Sequence, residues 1–146
     1  VRAPGFTTPQ ISSRYVLNND LAPTLAEFAS AIPPLVMDGR SITPLLINPA
    51  LPWRKRILVE YLGTQGGFPG TFSAVRTSLD DTATPNEMYI SWSDGAKELY
   101  DLVTDPYEIA SVHTSSARAS QLQILNGLLL QLKNCAGTTC QQLEDQ

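Results

Sequence analysis

The sequence has little of the chemistry that active sites most often use. It holds one histidine, His113, among 146 residues. A histidine-built metal site would need partners that are missing, and a Ser-His-Asp triad could use only this one base. His113 stands among polar residues just before a helix-like segment, as an ordinary surface histidine does. The residues alone therefore predict no catalytic residue.

Long apolar runs and clustered basic residues are also missing. No apolar run approaches the roughly 18 residues needed to span a bilayer, so we expect no membrane partner. The net charge is -4 and the pI about 4.8. Phosphate binding needs clustered lysine and arginine, so we expect no nucleic-acid partner. The chain opens "VRAPGF" without Met or a signal-peptide pattern, which favours a processed chain, a domain or a fragment.

Cysteine is scarce too, and the spacing of the two cysteines is informative. Cys135 and Cys140 lie in "CAGTTC", which is not the Cys-x-x-Cys of a redox pair and lacks the further ligands of a zinc site. A small-loop disulfide in an exported protein is the favoured interpretation. Two free thiols in a cytoplasmic chain are the alternative.

What is present describes a globular domain with short elements. Hydrophobic residues make up 42% and charged residues 16%, with eleven prolines and nine glycines. The segment 19–32 predicts a helix capped by Asn19 or Asp20 and ended by the prolines at 33 and 34. Its apolar positions share one face at helical spacing: Leu21, Leu25, Phe28, Ala29 and Ile32.

Four strands and a second helix follow. The strands are "RILVEYL", "TFSAVRTS", "EMYISW" and "AKELYDL", and they predict an antiparallel sheet. A two-residue turn of Asp94 and Gly95 would place Ile90 opposite Leu99 and Tyr89 opposite Tyr100. A helix from about 115 to 134 carries an apolar stripe that would cover one face of the sheet, namely Leu122, Leu125, Leu128, Leu129 and Leu132. The fold class is therefore α+β.

The acidic stretch "KELYDLVTDPYEIASV" is best explained by structure. Glu98 and Asp101 lie on opposite faces of a strand and cannot form a catalytic pair. Asp105 is placed to cap a turn beginning at Pro106, with Glu108 at the capping-box position.

Other candidate groups are weak when taken alone. Asp80 and Asp81 predict a solvated loop, because calcium needs more oxygen ligands at regular spacing. "GTQGGFPG" lacks the Gly-Lys-Ser/Thr end of a phosphate loop. Trp53 and Trp92 could stack on a sugar, Trp92 being the better placed, although a packed sheet residue is favoured. Four arginines could hold an anion only if the fold gathers them: Arg2, Arg40, Arg54 and Arg76.

Six segments in order resemble the C-terminal part of the formylglycine-dependent sulfatases, relatives of alkaline phosphatase. They are "VRAPGF", "NNDLAPTLAEFASAIPP", "MDGRSITPLL", "WRKRILVEYLG", "FSAVRTS" and "KELYDLVTDPYEIASV". The tail "LLQLKNCAGTTC" resembles the Cys-x-Gly-x-x-Cys end of the N-acetylglucosamine-6-sulfatase branch. "FASAIPP" and "EIASV" depart from the family pattern in loop positions.

The resemblance implies a fold and a division of the chain. Residues 1–52 would be the C-terminal edge of a larger alkaline-phosphatase-like α/β catalytic domain. Residues 53–146 would be a small subdomain of a four-stranded antiparallel sheet packed by a C-terminal helix, with a Cys135–Cys140 disulfide. The parent protein would hydrolyse sulfate esters, on glucosamine-type sugars or aryl sulfates, and be secreted, periplasmic or lysosomal.

The resemblance also implies what the chain lacks. The nucleophile arises from Cys in Cys-x-Pro-Ser-Arg, which does not occur here. Formylglycine and calcium are expected in the missing N-terminal part, so this chain supplies no catalytic, cofactor or metal residue. We expect it to be inactive alone and to pack on the missing catalytic domain. Lining of the substrate cleft and dimerisation through exposed apolar surface are further expectations. The alternatives are a phosphoester or phosphonate hydrolase of the same superfamily, and a stand-alone sugar- or protein-binding module.

Overall fold

A computed structural model describes residues 5–63 and 70–146. It divides into two compact units, Val1–Arg54 with Ala136–Asp145, and Lys55–Cys135 with Gln146. The predicted domain boundary at 52/53 concerns the parent protein and stays a prediction. The elements are α1 (Leu21–Phe28), α2 (Thr43–Ile47), β1 (Arg56–Tyr61), β2 (Phe72–Thr77), β3 (Glu87–Trp92), β4 (Lys97–Asp101), α3 (Ala119–Lys133) and α4 (Thr138–Asp145), with 3-10 turns at Asn18–Asp20 and Ser116–Arg118.

The second unit is built on the predicted antiparallel sheet, in the order β1-β2-β3-β4. The predicted register between β3 and β4 is wrong by one residue, because Ile90 lies opposite Glu98 and Tyr89 opposite Leu99. The hairpin loop has three residues and not two. Gly95 closes it at a φ of +92°, and its N–H donates to the carbonyl of Trp92 at 3.1 Å. Three-residue loops commonly end in such a glycine.

Helix α3 covers one face of this sheet, as predicted. It contacts β1, β2 and β3, and the Tyr89 hydroxyl donates to Asn126 at 3.0 Å. Leu125, Leu128, Leu129 and Leu132 are buried. The opposite face carries a second apolar cluster, with Ala74, Ile90, Tyr100 and Leu102 at its centre and Val59, Phe72, Met88 and Trp92 packed against them. Alternation along each strand therefore gives the sheet two apolar faces.

The first unit contains α1, α2 and α4. Helix α1 ends at Phe28, four residues before the predicted end at Ile32. Ser30 takes a left-handed φ of 52°, the Ala31 N–H donates to the Ala26 carbonyl, and the Ser30 N–H donates to Glu27. This is a Schellman motif, which ends a helix without needing proline.

Helix α1 leaves its apolar face exposed. Leu21, Leu25 and Phe28 are 52%, 64% and 39% exposed, and Ile32 beyond the helix is 95% exposed. We call the three helical residues the α1 apolar face. Within the described residues, no helix has the length and hydropathy to cross a bilayer.

Candidate functional site

The first unit contains a buried ion pair that joins the start of α1 to Arg54. The Arg54 guanidinium donates to both carboxylate oxygens of Asp20, at 2.6 and 2.7 Å, and both side chains are 0% exposed. The same carboxylate accepts the backbone N–H groups of Leu17 at 2.8 Å and Arg40 at 2.9 Å. Asp20 stands at the predicted cap position of α1, but its side chain makes no cap hydrogen bond. It serves this ion pair.

Helix α4 adds two more carboxylates. Arg40 pairs with Glu144 at 2.9 Å and with Asp145 at 2.7 Å, and Arg54 approaches Glu144 at 3.0 Å. The Trp53 ring lies 5.3 and 5.8 Å from the guanidinium carbons of Arg40 and Arg54. We call this set the arginine cluster: Asp20, Arg40, Arg54, Glu144 and Asp145.

The pKa values of two carboxylates in the arginine cluster shift in opposite directions. Burial alone would raise the pKa of Asp20, but the hydrogen bonds from Arg54, Leu17 and Arg40 hold it below its ordinary value. Burial raises the pKa of Glu144, and Arg54 and Arg40 only partly offset this.

The sequence predicted that four arginines could hold an anion only if the fold gathers them. The fold gathers Arg40 and Arg54, but it gathers them with three carboxylates, so their charge is neutralised internally. Arg76 lies on β2 in the second unit, and Arg2 lies outside the described residues. The sequence could not pair Asp20 with Arg54, because 34 residues separate them.

The prediction that Asp81 lies solvated in a loop is wrong. Asp81 is 1% exposed, pairs with Arg56, and accepts the N–H groups of Ala83 and Thr84 at 2.9 Å each. Its neighbour Asp80 is exposed, as predicted. Asp81 therefore holds its loop together.

A second ion network, missed by the sequence analysis, anchors the start of α3. Arg118 donates to Glu87 at 3.0 Å and to Asp101 at 2.7 Å. Burial raises the pKa of Glu87. The pKa of Asp101 is lowered, because Arg118 and two backbone N–H groups outweigh its burial.

The stretch around Asp105 is structural, as predicted, but without the capping box. The Asp105 carboxylate accepts the N–H groups of Ile109 and Ala110 at 2.9 and 2.8 Å. Glu108 has a φ of 56°, which an N-terminal helical position does not allow, so its predicted role is wrong. His113 is half-buried and shares a hydrogen bond of 2.9 Å with the Ser111 hydroxyl.

The β3–β4 hairpin brings an acid and two aromatic side chains together. Glu98 accepts the Trp92 indole N–H at 2.7 Å and the Tyr100 hydroxyl at 2.6 Å. Burial, and then the hydrogen bond to Glu98, raise the pKa of Tyr100, so the phenol stays protonated and donating. Trp92 also packs on Phe72, with ring centroids 5.1 Å apart, as the packed interpretation expects.

The sulfatase resemblance implies that no formylglycine or calcium site lies in this chain, and this stays a prediction for the described residues. Among them, no three His, Cys, Asp or Glu side chains are grouped to hold a metal ion. Cys135 and Cys140 form the predicted disulfide.

The sequence of the chain matches a known protein family. The family model "N-sulphoglucosamine sulphohydrolase, C-terminal" matches residues 1–135. The chain belongs to this sulfatase C-terminal family. The match ends before α4 (Thr138–Asp145), so it includes no residue of that helix.

Curated relatives of this sulfatase C-terminal chain are longer sulfatases. N-acetylglucosamine-6-sulfatase of Bos taurus is 28% identical and that of Homo sapiens 29%, each aligned over 96% of this chain. The extracellular sulfatase SULF-1 homolog of Drosophila melanogaster is 44% identical over 48 residues. The chain spans only 30% of the length of the two N-acetylglucosamine-6-sulfatases.

Solved structures share the fold of this sulfatase C-terminal chain. A protein in complex with its substrate D-glucosamine-2-N,6-O-disulfate matches with a TM-score of 0.66 and 24% identity, over 78% of this chain and 23% of its own. Phosphonate monoester hydrolase of Agrobacterium radiobacter matches with a TM-score of 0.63 and 21% identity, over 78% and 24%. At these identities the likeness concerns the fold alone.

Proposed function

We propose that this chain is the C-terminal region of an enzyme that hydrolyses sulfate esters on glucosamine-type sugars. The proposal rests on the alignment with the N-acetylglucosamine-6-sulfatases. This alignment includes 96% of this chain but only 30% of the length of those enzymes. The family match over residues 1–135 supports the same class. The nucleophile and calcium belong to the part of the parent enzyme that this chain does not include.

In this proposal the chain acts by packing on the catalytic domain. The α1 apolar face is the surface we assign to that contact, because leaving such residues in water forgoes about 25 cal/mol for each Å² of apolar area. The parent enzyme works outside the cytoplasm. The Cys135–Cys140 disulfide supports this location, since disulfides persist in oxidising compartments.

The phosphonate monoester hydrolase is a second candidate, because its TM-score nearly equals that of the sugar-disulfate complex. The two solved neighbours therefore do not separate the candidates. Sequence relatives favour the sulfatase. A stand-alone sugar- or protein-binding module is the candidate from another class.

The experiment that tests the proposal begins with the coding sequence upstream of Val1. We expect a Cys-x-Pro-Ser-Arg motif there, and sulfate release from N-acetylglucosamine 6-sulfate by the full-length protein. The matched control replaces the motif cysteine by alanine, which should abolish release without changing the fold. The chain alone should release none. Threonine or serine as nucleophile, with phosphonate ester cleavage, would favour the second candidate. Turnover by the chain alone would overturn the proposal.

A further inference from the structure

A small pocket opens beside the β3–β4 hairpin. Its volume is about 200 Å³, and we call it the hairpin pocket. The space of one liquid water is about 30 Å³, so it holds about six waters, or one small ring. Its lining comprises Gly70, Trp92, Ser93, Asp94, Ala96 and Glu98.

Glu98 is held in place but not neutralised. Trp92 and Tyr100 each donate one hydrogen bond to it, one to each oxygen. A carboxylate offers about four acceptor positions, so with respect to the described part of the chain each oxygen keeps one. Within residues 5–63 and 70–146, no lysine or arginine lies within ion-pair distance of Glu98.

The other residues that line the pocket also favour a positively charged ligand. Asp94 adds a second carboxylate, one oxygen of which accepts the Ala96 N–H at 2.9 Å. The Trp92 ring has an electron-rich face, and tryptophan is the strongest aromatic partner of an ammonium group. Among the residues that the structure describes, the lining includes no basic side chain, so its charges favour a cation over an anion such as sulfate.

We propose that the hairpin pocket binds a primary ammonium group, carried by a single unsubstituted amino-sugar ring. Glu98 supplies the counter-charge and two free acceptor positions, and Trp92 supplies an aromatic wall. The choice of an amino sugar rests on the proposed function, whereas the choice of an ammonium group rests on the pocket alone. A neutral N-acetyl group lacks the charge that these residues recognise.

The test is a titration of the purified chain followed by NMR of the indole N–H signals. The chain has only two tryptophans, so Trp53→Phe assigns both signals. We expect glucosamine to shift the Trp92 signal with a millimolar dissociation constant, and N-acetylglucosamine to bind at least tenfold more weakly. Binding is read without turnover, so its failure leaves the proposed hydrolysis untouched.

The decisive variant is Glu98→Gln, since glutamine can still accept from Trp92 and can donate to the Tyr100 oxygen while losing the charge. We expect it to weaken glucosamine binding at least tenfold with unchanged thermal stability. Glu27→Gln, an exposed position in the first unit, is the matched control and should bind as the wild type does.

Three results would overturn the proposal. Equal affinity for glucosamine and N-acetylglucosamine would show that the site does not recognise the ammonium group. Unchanged binding of glucosamine by Glu98→Gln would show that the ligand does not bind in the hairpin pocket. Tighter binding of Nα-acetyl-lysine amide than of glucosamine would reassign the site from a sugar amine to a lysine side chain.

Discussion

At residue scale, Arg54 and Asp20 depend on one another because both are fully buried. Arg54→Met leaves the Asp20 charge without its counter-ion, and breaking a buried pair in this way costs about 3–5 kcal/mol. We expect that loss in the free energy of unfolding measured by urea denaturation.

Lys133→Met, at an exposed position of α3, is the control and should change stability by less than about 0.5 kcal/mol. The double variant Asp20→Asn/Arg54→Met should recover part of the loss, because no unpaired charge remains. A single variant as stable as the wild type would mean that water reaches Asp20.

The lowered pKa of Asp20 predicts acid sensitivity. Its ordinary value is 3.8 and its folded value is lower, so the unfolded state takes up the proton first as pH falls. The contribution of this carboxylate is complete above pH 3.8 and is lost as pH falls through the folded pKa. We expect the urea midpoint to fall steeply below about pH 4. Asp20→Asn should start lower at pH 7 and fall less on acidification. Equal slopes would assign the acid sensitivity to other carboxylates, Asp101 first.

At element scale, the β3–β4 hairpin depends on one glycine. Gly95 has a φ of +92°, so a side chain there is strained although nothing lies within 4 Å of its Cβ position. Gly95→Ala should destabilise by about 1–2 kcal/mol. Gly127→Ala is the matched control with the opposite sign, because Gly127 lies within α3 with open space beside it, and alanine there should stabilise by about 0.5–1 kcal/mol. Thermal melts of both variants measure the difference, and a neutral Gly95→Ala would contradict this account of the loop.

The strands and α3 were predictable because their apolar side chains recur at the spacing typical of a strand or a helix. The strands alternate and α3 repeats its leucines every three or four residues, so both were found from the sequence. The register was missed because "SDG" fits a two-residue or a three-residue loop, and only the pairing of Tyr89 with Leu99 decides between them. Helix α4 carried no prediction, since "TTCQQLED" has few apolar residues and is held by Arg40. Trp92 was singled out, but its bond to Glu98 depends on that same register.

At the scale of the whole molecule, the described chain leaves its apolar surface unevenly covered. The sheet of the second unit is covered by α3 on one face, whereas the α1 apolar face has 39–64% of each side chain exposed. Monomeric proteins rarely leave large contiguous apolar patches in water. Since the chain spans 30% of the length of the N-acetylglucosamine-6-sulfatases, we propose that the rest of the enzyme packs on this uncovered face.

The same exposure predicts how the chain behaves without a partner. We expect the isolated chain to self-associate, with sedimentation velocity showing a dimer or larger species that grows with concentration. Leu25→Ser/Phe28→Ser should shift it toward monomer, because the two changes remove most of the α1 apolar face. Leu79→Ser/Ile109→Ser is the matched control, since those residues are 71% and 81% exposed in the second unit. A catalytic domain added in trans should bind the wild type more tightly than the α1 variant. Self-association that persists in the α1 variant but disappears in the control would move the partner surface to the second unit.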